Sequence, residues 1–160
     1  MATTIPVPIG SAVELLKKPK IMQPGDYINL VSNVNSVLHA TITFQTLPSD
    51  NTYFGAGADI TSASTYTNAL VATGNSVVLE SILLTNDDGT NDVKADVVYT
   101  DGSDNILGYY AYKMVVPADA TIELLENPKY LTQNHKIRVL ANQADRLEVV
   151  VAGKKLAQGM

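Results

Sequence analysis

Cysteine and tryptophan are absent, and histidine and phenylalanine occur twice each. Without cysteine there is no disulfide, no thiolate zinc site and no cysteine nucleophile, so stability must come from packing or from assembly. No run of about 18 apolar residues occurs, which predicts no transmembrane helix. The opening MATTIPVPIG carries no basic stretch ahead of an apolar one, which predicts no signal peptide. Cations are in the minority: 11 Lys and Arg stand against 16 Asp and Glu, a net charge of −5. A protein that wraps nucleic acid with its whole surface is disfavoured, and no membrane partner is expected. What is present is a 160-residue chain, 46% apolar and 17% charged, in the globular range and long enough for one ordinary domain or two very small ones.

The charge is unevenly spread. Residues 80–126 hold ten acids against Lys94 and Lys113, whereas 127–160 hold six bases against Asp145 and Glu148. Solvated loops account for such runs, and an attraction between one end of a molecule and the other end of its neighbour is a second reading.

The chain also repeats itself. At a spacing of 109, Val7 to Phe44 aligns with Val116 to Gly153 without a gap, and ten of the 38 pairs are identical. Roughly two or three identities would be expected by chance at ordinary composition. The shared core reads VP-x5-ELL-x2-PK. In each copy a short apolar run precedes a Pro-Lys step and a polar turn, and two strands follow: Tyr27–Ser32 and Val37–Phe44 in the first, Lys136–Ala141 and Arg146–Val151 in the second. Between the copies, Val77–Thr85, Asp92–Thr100 and Ile106–Val116 read as successive antiparallel strands joined by Asn/Asp/Gly turns. In the last of these, strict alternation sets Tyr110, Tyr112, Met114 and Val116 on one face, with Tyr110 and Tyr112 expected in the core.

The expected fold is therefore all-β, an antiparallel β-sandwich of jelly-roll or Ig-like type with an internally duplicated three-strand segment. Two regions are expected: 1–57, an N-terminal half-repeat and arm packed on the rest or on a neighbour, and 58–160, a C-terminal β-sandwich. Residues 45–74 read as a linker or arm with a strand near Ser64–Ala72. Three short strands bury too little to stand alone, so the half-repeat implies a homo-oligomer or docking onto a larger assembly, with edge strands as the contact.

Several stretches together resemble the small β-sandwich virion structural proteins of tailed bacteriophages. They are Ser76–Asn86 (SVVLESILLTN), the acidic hairpin into Val93–Thr100, Tyr109-Tyr110-Ala111-Tyr112, Val116-Pro117-Ala118 with Glu123-Leu124-Leu125, and Ile137-Arg138-Val139 through Leu147–Val151. The likeness spans about 58–153. That family usually writes a Gly-Asp turn before the penultimate strand; this chain has Asn134-His135 there and keeps Gly25-Asp26 in the first copy. The resemblance implies a head, neck or tail location in a virion and carries no catalytic residues.

Candidate chemistry is sparse. His39 and His135 occupy non-equivalent places in the repeat, and neither lies near a nucleophile elbow or a metal-spaced ligand. Gly55-Ala56-Gly57 lacks the rest of a phosphate-binding fingerprint and reads as a flexible loop. Asp87, Asp88 and Asp92, or Asp101 and Asp104, are of the type that gathers calcium, but their spacing is that of ordinary Asp-Gly turns. Tyr109, Tyr53 and Tyr66 are candidates for stacking on a sugar. No catalytic, cofactor-binding or metal residue is assigned, and no cofactor or enzyme activity is expected.

The function expected from these readings is that of a bacteriophage virion structural protein, a capsid decoration (cement) protein bridging neighbouring subunits of the shell. The alternative is a neck, tail or fibre-base adaptor, with host-glycan binding as an option. The expected partners are the major capsid protein or other virion proteins and further copies of the chain, with a trimer as the guess.

Overall fold

The computed structural model describes residues 53–156, together with Met22, residues 28–32 and Ala40. Among the described residues there is no helix. Nine strands follow one another: β1 (Tyr53–Asp59), β2 (Thr67–Val71), β3 (Val77–Asn86), β4 (Val93–Thr100), β5 (Ile106–Val116), β6 (Thr121–Glu123), β7 (Lys129–Leu131), β8 (Lys136–Ala141) and β9 (Leu147–Lys155). They build two sheets, one ordered β1-β9-β3-β6 with β7 also on β3, the other ordered β2-β8-β4-β5.

The pairing is nested. β1 pairs with β9, β2 with β8, β3 with β6 and β7, and β4 with β5, every pair antiparallel. A four-deep hairpin of this kind, wrapped so that its strands alternate between two sheets, is the jelly roll. Of the two sandwich types expected, the strand order selects this one.

The strands form where β-branched and leucine residues alternate with polar ones, a pattern that suits a pleated surface buried on one side. On β8, Ile137, Val139 and Ala141 are buried and their neighbours are not. On β9 the inward set is Leu147, Val149 and Val151. These meet Leu79, Ile82 and Leu84 of β3 and Val93, Ala95 and Val97 of β4 in one core between the sheets. Burying a side chain of this size stabilises the fold by about 1.5–3 kcal/mol.

β6 and β7 are one rung of the roll interrupted at Leu124–Pro128, where Pro128 has no N–H for a ladder. A side chain closes the gap. The Glu123 carboxylate accepts the Ile82 amide at 2.9 Å, the Ser81 hydroxyl at 2.6 Å and the Leu125 amide at 3.3 Å, beside the register shift that β3 makes at Glu80.

Several expectations change. The stretch read as a linker or arm holds the strand expected near Ser64–Ala72, as β2, but it also supplies β1, and Gly55-Ala56-Gly57 lies within β1, not in a flexible loop. Among the described residues the first strand of the sandwich is β1, which runs across the boundary expected between 57 and 58. β1 has little apolar bulk of its own; β9 supplies it from the paired strand. The three-strand duplication is not established. Its first copy lies outside the described residues apart from Met22, 28–32 and Ala40, none of which is in a strand.

Candidate interaction surface

Of the exposed aromatic residues among those described, Tyr109 and Tyr112 lie on the outer face of the β2-β8-β4-β5 sheet and Tyr130 elsewhere, and β5 explains why. Against the eight residues of β4, β5 spends eleven, with register shifts opposite Ala95/Val97, Val97/Val98 and Tyr99/Thr100. Each shift inserts an extra residue into β5, and each such bulge bends the strand and resets which face the next side chain meets. Lys113 takes φ 48° at the first of them, and the Asp96 carboxylate accepts its amide at 2.5 Å.

The consequence is a correction at Tyr112. Strict alternation puts it in the core beside Tyr110, yet it is 61% exposed. It stands with Tyr109, itself 50% exposed, in an edge-to-face pair with ring centroids 5.3 Å apart. Tyr110 keeps the expected side, half-buried against Tyr99 at 5.8 Å, and burial followed by the Tyr99 charge raises its pKa. Ile106, Leu107 and Val115 are exposed along the same strand.

Tyr66, just before β2, joins this face from the opposite edge of the sheet. Burial, then the Asp96 charge, then the Tyr109 charge raise its pKa, Arg138 opposes them, and a hydrogen bond with Tyr109 raises it further. The Arg138 guanidinium lies 5.6 Å from the Tyr66 ring centroid, donates to the Tyr66 carbonyl at 3.2 Å and pairs with Asp104 at 3.4 Å. Lys136 meets the same Asp104 oxygen at 2.7 Å. Asp104 is held below the usual carboxylate range chiefly by the hydrogen bond from Lys136. Under this layer Val98, flanked across its two ladders by Tyr109 and Arg138, is fully buried although it faces away from the core. Lys113 sits 5.1 Å from the Tyr112 ring and completes a platform of tyrosines with a cationic rim.

Of the three sugar-stacking candidates, Tyr66 and Tyr109 come together here. Tyr53 does not; it lies on β1 of the other sheet. The sequence missed Tyr112 because nothing in Tyr-Lys-Met marks a bulge.

The aspartates of the calcium reading do other work. Asp88 accepts the Thr90 and Asn91 amides at 2.9 and 3.2 Å and the Asn91 side-chain amide at 3.2 Å, and Arg146 stands 3.7 Å away. The Asn91 side chain, first of these causes, holds its carboxyl below the usual range. Asp101 accepts the Ser103 and Asn105 amides and the Asn105 side chain, which likewise leads in lowering its pKa. Asp92 accepts the Ala118 amide at 3.2 Å. Asp88 and Asp101 thus cap their own turns and Asp92 ties its loop to Ala118, and among the described residues no three His, Cys, Asp or Glu side chains gather as a metal site. His135 closes a turn through its backbone, donating to Thr132 at 3.0 Å, and His39 lies outside the described residues.

Comparison with protein-family models, curated proteins and solved structures finds no match to the chain.

Proposed function

We propose that the chain is a non-enzymatic structural protein of a tailed-bacteriophage virion, a capsid decoration (cement) protein that bridges neighbouring subunits of the major capsid protein. The observation that carries this reading is the platform of Tyr66, Tyr109 and Tyr112 with its Arg138 and Lys113 rim. A jelly roll by itself assigns no activity. Tyrosine and arginine, however, are among the residues that dominate binding energy in protein interfaces: tyrosine buries a large ring at little rotamer cost, and arginine adds a planar charged fork of donors. A rigid sandwich that presents them to two adjoining subunits binds the assembled shell in preference to its parts, and so stabilises it by mass action. The net charge of −5 favours a protein partner over nucleic acid.

The test is to purify particles and count copies of the chain on them. Hundreds of copies on the head, released or reduced by Tyr112→Ala, are expected; absence from particles overturns the reading.

One feature favours the alternative of a neck, tail or fibre-base adaptor that binds host glycans. Tyr109 and Tyr112 present exposed rings next to a cation, the arrangement on which a sugar stacks. A handful of copies at the vertex or tail, with glycan binding lost in Tyr112→Ala, selects that reading.

A further inference from the structure

One sheet ends in the bulged β5; the other ends in β1, whose register to β9 runs from Tyr53 to Asp59 without a shift. The Ile60 amide donates to the Leu147 carbonyl at 2.9 Å, which fixes the phase of the ladder: even-numbered residues of β1 bond to β9. The amides and carbonyls of Tyr53, Gly55, Gly57 and Asp59 therefore point away from the sheet, as on any edge strand that templates another. The side chains of these four residues share the outer face. The glycines leave that face bare, and a shallow open depression of about 320 Å³ lies there, lined by Gly57, Ala58, Asp59, Glu148, Val149 and Val150. Charge is segregated along the edge. Asp59 stands directly opposite Glu148, two like charges side by side. Tyr53, at the other end, stands opposite Lys154, whose ammonium lies 5.5 Å from the Tyr53 ring.

We propose that β1 pairs antiparallel with β1 of a second copy, about a two-fold axis through Ala56. Odd residues must oppose odd ones, since they alone carry outward backbone groups, and the register that uses the whole strand sets Tyr53 against the partner's Asp59 and Gly55 against the partner's Gly57. Each Asp59 then gains the partner's Tyr53, with the partner's Lys154 one strand beyond that ring, about 9.6 Å from Asp59 at about 4.8 Å per strand and within reach of the long lysine side chain. The cationic end of one edge meets the acidic end of the other, and each Tyr53 ring enters the depression that the partner's Gly57 leaves open. The contact is isologous and saturates both edges, so it stops at two copies, where the role of a capsid decorator had suggested a trimer. It is independent of what the tyrosine platform binds.

Light scattering on the full chain, with dilution, tests the pairing. The expected mass is twice 17.1 kDa, falling to one chain on dilution. Gly57→Pro removes an outward N–H and no bond to β9, so it is expected to give a single-chain mass with unchanged circular dichroism. Asp59→Lys covers the case in which that variant fails to fold. It removes the repulsion from Glu148 within one chain yet sets a cation beside the partner's Lys154, and is expected to weaken pairing at least tenfold. Asp59→Lys combined with Lys154→Glu restores it. The proposal is overturned by a wild-type mass of one chain at every concentration, or of three chains, or by a two-chain mass that survives both variants. Gly55 and Gly57 amides protected from hydrogen exchange in a one-chain species overturn it too, because residues 1–52 of the same chain then cover the edge.

Discussion

β1 and β5 each close a sheet of the same roll, by opposite means. β1 keeps an unbroken register, a run of small side chains from Gly55 to Ala58 and a row of amides and carbonyls that no other described strand pairs with. β5 breaks its register three times, holds Lys113 at positive φ, and turns Tyr109 and Tyr112 to the same side. Bulges disrupt the row of backbone groups that another strand would pair with, so a bulged edge resists strand addition. They also redirect side chains. The difference separates two kinds of edge: β1 presents chiefly its backbone between Tyr53 and Asp59, and β5 presents rings over an interrupted backbone row.

The comparison can be pressed first at the glycines behind each edge. A Cβ at Gly153, opposite Phe54 of β1, falls 2.1 Å from the Val78 carbonyl oxygen. Backbone cannot step aside, so Gly153→Ala is expected to cost about 3 kcal/mol or more in chemical denaturation. At Gly108 in β5 the obstacle is the Tyr99 ring at 2.5 Å, which can swing. Gly108→Ala is expected to cost about 1–2 kcal/mol and to displace that ring; equal losses at the two positions would erase the distinction between a wall of backbone and a movable side chain. Asp96→Ala removes the acceptor of the Lys113 amide. It is expected to cost about 1 kcal/mol and to shift the Tyr112 resonances, and an unmoved Tyr112 would show that the bulge holds without its cap.

Tyr112→Ala should leave stability within about 0.5 kcal/mol of wild type while lowering affinity for the particle at least tenfold. A large loss of stability would mean that the ring supports the sheet and is not poised for a partner. The smallest effect lies in acid. Asp88, Asp101 and Asp104 have carboxyls depressed in the folded chain, so their contribution is present above the ordinary carboxylate pKa and is lost as pH falls through the lower folded values. The denaturation midpoint is expected to hold from neutrality to about pH 4 and to drop below it, with Asp101→Asn flattening the drop.

Much of the sandwich was legible because its strands carry their own apolar alternation. Ile106–Val116 and Lys136–Ala141 are strands at the expected bounds, and β3, β4 and β9 begin within a residue of expectation. β1 was not legible: Tyr-Phe-Gly-Ala-Gly-Ala-Asp becomes a strand through β9, a partner distant in sequence. Tyr112 was misread because alternation is a local rule and a bulge is set by the neighbouring strand. The platform was hidden for a related reason, since Tyr66 reaches Tyr109 across β8 and β4. Glu123 was noted as part of a repeat, and its place in the broken rung beside Ser81 and Ile82 depends on a shift in β3 that no spacing announces.

The nesting of the strand pairs bears on how the protein is made. β1 is synthesised before any other described strand, and its neighbour among the described strands, β9, is the last of them to be synthesised. A nascent chain leaving the ribosome therefore carries both sheets unfinished until β8 and β9 have been made. A product terminated before Leu147 lacks the strand that joins β1 to β3.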